Sequence, residues 1–300
     1  MDIYNISEVF KSEIKDYFKL SLHVKRIIYK SDNNKIEGFI IQSKFNFKKL
    51  PVLIYCRGGD NLGKTKEGKK KDDKYYLFFK DKIFSDLVEN GYIIFASNYR
   101  GSNFSTGKDE FGGDDINDVI NLLPIIKKYK YSDEKNINFW GHSRGAMMAL
   151  LAINKMNYKY INSVILTGGF YDFNVIKSRS NYFKFLQSHL NLSKDELNQR
   201  SAINFTESFK QPLLIIHGRE DKAVDTSSSI RFSDKLKKQN KVFKLIIYSD
   251  MKHDFSPNLD EVNIQIINWL NKYNFISRKV TIYAFIMSLI LIILFFKRKN

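Results

Sequence analysis

From residue 51 onward the chain alternates short apolar runs with longer stretches in which apolar residues recur every three or four positions. The runs are Val52–Cys56, Tyr92–Ala96, Ile137–Trp140, Val164–Thr167, Leu213–His217 and Phe243–Tyr248. The periodic stretches are Ile83–Glu89, Ile116–Lys128, the segment after Ser143, Ser228–Lys238 and Leu259–Tyr273. A strand covered on both faces reads as a continuous apolar run, and a helix packed on it shows a one-sided stripe. The alternation therefore predicts an α/β architecture, a mostly parallel sheet flanked by helices. Ahead of it, Val24–Tyr29 and Ile36–Gln42 bracket the turn-forming Ser31-Asp32-Asn33-Asn34 and predict an antiparallel hairpin. Residues 1–20 carry apolar positions at helical spacing and predict an amphipathic helix, leaving 21–276 as one domain. The rhythm breaks between Gly168 and Gln211, where about forty residues rich in Phe, Tyr, Asn and Ser predict short helices forming a cap-like insert over the strand ends.

The end of the chain has a different pattern. Residues 280–296 contain no charge and are mostly Ile, Leu, Phe or Met, bracketed by Arg278-Lys279 and Lys297-Arg298-Lys299. This predicts a single-pass C-terminal transmembrane anchor near the lower length limit, extended by snorkelling of the flanking cations. The first twenty residues show no secretory signal, which places the rest of the chain in the cytoplasm. A lone cysteine, Cys56, sits in an apolar run and rules out an internal disulfide framework; it is read as a buried small hydrophobe.

Composition adds little to the fold but constrains partners. At 43% apolar, 300 residues suffice for one large domain with a full core. The net charge of +17 is spread over many lysines, with one cluster between Lys64 and Lys74 and another beside the apolar terminal segment. That distribution fits attraction to anionic lipid headgroups or a Lys-, Asn- and Ile-rich compositional bias, and no nucleic-acid partner is expected.

The candidate chemistry centres on Gly141-His142-Ser143-Arg144-Gly145, which follows the run Ile137–Trp140 and precedes the helix formers Ala146–Leu151. Gly-x-Ser-x-Gly between strand and helix is a nucleophile elbow: a serine hydroxyl is a weak nucleophile and must be held out on a tight turn where a base can take its proton. The partners of such a serine follow it in the order acid, then histidine, on loops after later strands. Leu213–Ile216 leads into His217-Gly218-Arg219-Glu220-Asp221-Lys222-Ala223-Val224-Asp225, and Phe243–Tyr248 into Ser249-Asp250-Met251-Lys252-His253. Ser143, Asp221 and His253 are the resulting candidates, with Asp225 a rival to Asp221 in the same loop. The other four histidines, His23, His142, His189 and His217, are read as packing or surface residues. A second motif competes: Gly58-Gly59-Asp60-Asn61-Leu62-Gly63-Lys64-Thr65 satisfies the phosphate-binding Walker A pattern. The residues after it, Lys66–Asp73, lack apolar periodicity and contain Gly68, so the helix that such a site requires is not expected. No metal or organic cofactor is implied.

Four ordered motifs carry a family resemblance: Asn98-Tyr99-Arg100-Gly101-Ser102-Asn103-Phe104-Ser105-Thr106-Gly107; Gly113-Asp114-Asp115-Ile116-Asn117-Asp118-Val119; the elbow; and His217–Val224. Over roughly Val24 to Tyr273 the chain resembles the catalytic domain of the prolyl oligopeptidase family of serine peptidases, members of the α/β-hydrolase superfamily. The resemblance implies Ser143 as nucleophile, Asp221 rather than Asp225 as acid and His253 as base, with Arg100, Asp114, Asp115 and Asp118 bracing the site. Family members often carry His or Tyr before the paired glycines after the first parallel strand, where this chain has Arg57-Gly58-Gly59. The backbone N–H groups of Gly58 and Arg144 are then expected to form the oxyanion hole. Asp225 replaces the usual proline after the acid-loop valine, and no propeller is expected ahead of the domain. The expected function is hydrolysis of peptide or acyl-peptide bonds through an acyl-enzyme. The rivals are a membrane-anchored esterase or lipid acyl hydrolase, and a catalytically silent binding module on the same fold.

Overall fold

In a computed structural model of the chain, the structure describes residues 3–8, 22–59, 62, 81–102, 104–156, 158–173, 180–190 and 192–274. Nine strands form one sheet: β1 Ile3–Glu8, β2 Leu22–Ser31, β3 Asn34–Ser43, β4 Leu50–Cys56, β5 Ile93–Ser97, β6 Ser132–His142, β7 Ile161–Thr167, β8 Leu213–Gly218 and β9 Phe243–Tyr248. Their spatial order is β1-β2-β3-β5-β4-β6-β7-β8-β9. The β2–β3 hairpin and its neighbours pair antiparallel; from β5 to β9 every pairing is parallel. The hairpin reverses through Asp32 in the left-handed region at φ 51°, a conformation that Asp tolerates better than most residues.

The helices are α1 Asp81–Glu89, α2 Ile116–Ile120, α3 Leu123–Lys128, α4 Arg144–Lys155, α5 Ser180–His189, α6 Lys194–Arg200, α7 Ser227–Lys238 and α8 Leu259–Tyr273, with a 3-10 turn at Ala202–Ser208 before β8. The sheet divides the core in two. Val52, Ile54 and Cys56 of β4 belong to the cluster that receives α4, while Leu53 and Tyr55 belong to the one that receives α1 and α8. Successive side chains on a strand point to opposite faces, so a strand with both faces covered must be apolar throughout.

Three expectations are corrected. Ile3–Glu8 is not helical but an edge strand paired with β2: residues 3, 4 and 6 are β-branched or aromatic, and a sheet edge offers their backbone a ladder that an isolated helix lacks. Residues 9–20 of the expected helix lie outside the described residues. The stretch Ile116–Lys128 is two short helices, because Pro124 occupies the first turn of α3; proline has no N–H to bond back to the preceding turn, so it starts a helix instead of continuing one.

The α/β-hydrolase sheet is present without the expected transmembrane helix: among the described residues no helix is long and apolar enough to cross a membrane. The last helix described, α8, is fifteen residues long and amphipathic, with Val262, Ile266 and Leu270 buried and Glu261 and Lys272 exposed. Residues 280–296 lie outside the described residues, and the single-pass anchor, with the cytoplasmic placement drawn beside it, does not stand.

Candidate active site

β6 ends at His142, and Ser143 stands between strand and helix with φ 58° and ψ −126°. A non-glycine residue at positive φ is strained, and the surroundings must hold it there. They do so on three sides. The Ser143 N–H donates to the Thr167 carbonyl at the end of β7 (2.8 Å). A side chain on Gly141 would meet the Gly145 carbonyl oxygen at 2.3 Å, and one on Gly145 would meet the Cys56 carbonyl oxygen at 1.8 Å. The two elbow glycines are therefore fixed by close approach of α4 to β6 and β4. Gly145→Ala is expected to lose about 3 kcal/mol or more by forcing α4 off β4, a fall of about 6 °C or more in a thermal melt. A melting temperature equal to that of the parent would show that the approach is looser than described.

The loops after β8 and β9 bring Asp221 and His253 together. His253 Nδ1 lies 2.7 Å from Asp221 Oδ2, and the Asp221 side chain is almost wholly buried while His253 is partly exposed. The other carboxylate oxygen, Oδ1, accepts the N–H groups of Ala223 (2.9 Å) and Val224 (2.8 Å). Burial alone would raise the Asp221 carboxyl, but hydrogen bonds from His217, His253 and Val224 outweigh it and hold the group well below the usual carboxylate range. An ionised carboxylate only accepts, so His253 donates to it from Nδ1 and turns Nε2 away from the acid. Asp225 acts elsewhere, its Oδ1 taking the Ser227 N–H (2.8 Å) at the start of α7.

Asp221 and His253 stand beside the chain neighbours of Ser143. A Cβ built on Gly168, the residue after the Thr167 that holds the elbow, would stand 3.2 Å from His253 Nδ1 and 3.3 Å from Asp221 Oδ2. The ring of His142 lies 4.9 Å from the ring of His253. Gly218, where a Cβ would meet the Met251 carbonyl oxygen at 1.8 Å, packs the acid loop against the histidine loop. A cavity of about 500 Å³ opens beside His253, lined by Glu220, Lys222, Ala223, Lys252 and Asp254.

A depressed carboxyl is also a statement about stability. Its folded pKa lies below its unfolded one, so the unfolded chain binds the extra proton and stability rises with pH through that window. The contribution is present above about pH 4, the ordinary carboxylate value, and is lost as the pH falls through the folded value. Denaturant midpoints measured from pH 6 downward are expected to fall less steeply for Asp221→Asn than for the parent; parallel curves would contradict the assignment.

The side of the elbow next to Gly58 is built on arginine. Gly58 lies so close to Ser143 that a Cβ there would stand 2.9 Å from Ser143 Cβ. Arg144 has a buried guanidinium whose Nη1 and Nη2 form a fork on Asp109 (2.7 Å each), while Nη2 also reaches Asp115 (2.5 Å) and Nη1 the Gly59 carbonyl (3.1 Å). Burial would lower its pKa, but Asp109 and Asp115 raise it further, so the cation is secure. Two carboxylates share that one cation, and burial with the Asp109 charge nearby pushes Asp115 up to about 7. Arg100 binds Asp118 through Nε and Nη2 and reaches Asp32 (2.7 Å). Of the acidic residues expected to brace the site, Asp115 and Asp118 thus hold arginines; for Asp114 the contact is its backbone N–H on Glu110 (2.8 Å).

Residues 79–279 match the model of the prolyl oligopeptidase family. The chain belongs to the prolyl oligopeptidase family. Its members' chemistry makes it a serine hydrolase. Among curated relatives, an uncharacterized peptidase of Bacillus subtilis, YtmA, is 22% identical over 83% of this chain and 95% of its own length. The acylamino-acid-releasing enzyme of Mus musculus is 23% identical over 62% of this chain but only 27% of the mouse protein. In structure, the chain is similar to the Pyrococcus horikoshii acylaminoacyl peptidase, with a TM-score of 0.71 at 19% identity, covering 89% of this chain and 44% of that one. It is also similar to an acetyl xylan esterase from Paenibacillus sp. R4, with a TM-score of 0.66 at 16% identity and 89% of each chain covered. At such identities these likenesses speak for the fold alone. The prolyl oligopeptidase-family chain spans nearly the whole of the Bacillus relative and less than half of the Pyrococcus one.

Within this family member, two contributors to the site were not anticipated. His217, read as a packing residue, has Nε2 3.2 Å from Asp221 Oδ2 and 3.0 Å from the Val224 carbonyl, with Nδ1 2.7 Å from Ser229 Oγ. Its place at the end of β8, four residues before Asp221, was the available signal. Asp109, partner of Arg144, carried none, because the pair is 35 residues apart in sequence.

Proposed function

We propose that the chain is a peptidase of the prolyl oligopeptidase type working by two-step acyl transfer, with Ser143 as nucleophile, His253 as base and Asp221 as the acid that orients it. The observation that carries this reading is the 2.7 Å contact from His253 Nδ1 to a buried, ionised Asp221, set beside a serine held at φ 58°. Ser143 Oγ attacks the carbonyl carbon and its proton passes to His253 Nε2. The resulting oxyanion is bound by the backbone N–H of Arg144 and that of the Gly58–Gly59 peptide. As the carbon–nitrogen bond breaks, His253 gives the proton to the leaving amine; water then repeats the sequence and frees the acid. Asp221 stays ionised throughout and stabilises the imidazolium.

Acyl-peptides are the substrate class we favour, because the mouse relative is named an acylamino-acid-releasing enzyme and the Pyrococcus neighbour an acylaminoacyl peptidase. Ester hydrolysis is a second reading, favoured by the match in size to the acetyl xylan esterase, where 89% of each chain aligns. Two measurements test these readings. A fluorophosphonate probe is expected to label the folded chain at Ser143; a folded chain that stays unlabelled would sink the hydrolase mechanism. Values of kcat/KM for an N-acetyl aminoacyl anilide, the same anilide with a free amine, and a short acyl ester are expected to rank the acylated anilide above the free one. The reverse order would rule out acyl-peptides as the substrate.

A further inference from the structure

The family resemblance leaves a gap at the oxyanion site, because Arg57 stands where a His or Tyr is common. Its side chain is fully buried, so it cannot meet a substrate directly. Nη1 donates to the Gly58 carbonyl (2.9 Å) and Nη2 to the Asn98 carbonyl (2.7 Å). Arg144 Nη1 donates to the next carbonyl, that of Gly59 (3.1 Å). Two successive carbonyls of the loop beside the nucleophile are thus each held by a buried guanidinium. Both guanidiniums lie against one ring: the Arg57 Cζ is 4.9 Å and the Arg144 Cζ 5.1 Å from the centroid of Tyr99. Tyr99 is itself strained at φ 59°, and its hydroxyl donates to the Arg57 carbonyl (3.2 Å). Burial raises the Tyr99 hydroxyl well above its ordinary value, so the ring is a neutral phenol that attracts cations.

In a planar trans peptide the C=O and the following N–H point in opposite directions. Drawing the Gly58 carbonyl inward to Arg57 turns the Gly59 N–H outward, on a residue that is exposed and next to Gly58, which touches Ser143. A cation on the carbonyl also polarises the same amide and strengthens its N–H as a donor. We propose that the Arg57 and Arg144 guanidiniums, spaced by Tyr99, are positioning residues that hold the Gly58–Gly59 peptide with its N–H toward the oxyanion, in place of a side-chain donor at residue 57. Arg144 then serves both sides of the oxyanion, through its own N–H and through the loop it ties down. The inference rests on Ser143 being the nucleophile.

The test uses the full chain with active sites counted by fluorophosphonate titration. It compares the parent with Arg57→Lys and Arg57→Met on a short acyl ester and on a tetrahedral boronate inhibitor. Removing one oxyanion donor costs about 100-fold in kcat or more, so Arg57→Met is expected to lose about that much per titrated site. KM should stay within about threefold, boronate affinity should fall in parallel, and the pH profile should not move, since His253 and Asp221 are untouched. Arg57→Lys keeps a cation able to reach one carbonyl and should recover about tenfold of the loss. Per-site kcat within about threefold of the parent in both variants would overturn the proposal, as would a loss of kcat at unchanged boronate affinity. Should Arg57→Met not fold, Arg57→Lys decides alone: a parallel loss of kcat and boronate affinity supports the proposal, and parental values of both overturn it. A parent chain that takes up no fluorophosphonate would remove the nucleophile assignment itself, whereas a labelled parent with unaffected variants removes only the inference.

Discussion

Ser143→Ala is expected to fold like the parent and to lose about 10⁶-fold in kcat, since removing the nucleophile of such a unit costs about as much as removing all of it. The fold should survive because alanine at φ 58° is strained to the same degree as serine, and the elbow is held by the Ser143 N–H on Thr167 and by close contacts of Gly141 and Gly145, none of which involves the hydroxyl. The loss should be so large because His253 then has no hydroxyl proton to take, and water in its place lacks the strained turn that aims the oxygen. Thermal melts should coincide within about 3 °C, by the size of a surface-type substitution, while fluorophosphonate labelling disappears. A variant that keeps more than about one per cent of parental kcat would show that the nucleophile lies elsewhere.

The ease of reading different parts of this site from sequence follows the range of the forces that build them. The elbow was legible because its chemistry is local: Gly141 and Gly145 must lack side chains where α4 meets β4, and that need is written within five residues. The strand series was legible because the central runs of β4 to β8, such as Val52–Cys56, Ile93–Ala96 and Leu213–Ile216, are buried throughout and read as continuous apolar stretches. Asp221 and His253 were legible only jointly, through their order after strands, and only the family resemblance favoured Asp221 over Asp225; a contact across 32 residues sets Asp221 against the imidazole. The arginine system was hidden for the same reason. Arg144 was legible only as a backbone donor, yet its guanidinium joins Gly59 on one segment to Asp109 and Asp115 on another. At the ends, pattern alone misled. Ile3–Glu8 has helical spacing, but a free sheet edge took it as a strand, and tertiary pairing outweighs propensity wherever a short segment finds a ladder.

The second large effect is expected from Asp221→Asn, with a fall in kcat of about 10⁴-fold through the wrong histidine tautomer. The two N–H donors on Oδ1, from Ala223 and Val224, fix which way the new amide must lie: its oxygen stays on them and its NH₂ takes the place of Oδ2. That NH₂ now faces His253 Nδ1, which must give up its proton to accept, and the remaining proton moves to Nε2, where it blocks the general-base action proposed for that nitrogen. The same NH₂ also faces His217 Nε2, which the Val224 carbonyl holds as a donor, so two donors meet in a buried space and stability should fall as well. Asp225→Asn is the internal control: its carboxylate binds the Ser227 N–H with an oxygen that an amide retains, and kcat should stay within about threefold, as for a substitution away from the reacting groups. Comparing per-site kcat of the two variants separates the acids. Equal losses would mean that the acid loop tolerates exchange of its carboxylates during turnover, and that the 2.7 Å contact to His253 is not the one that orients the base.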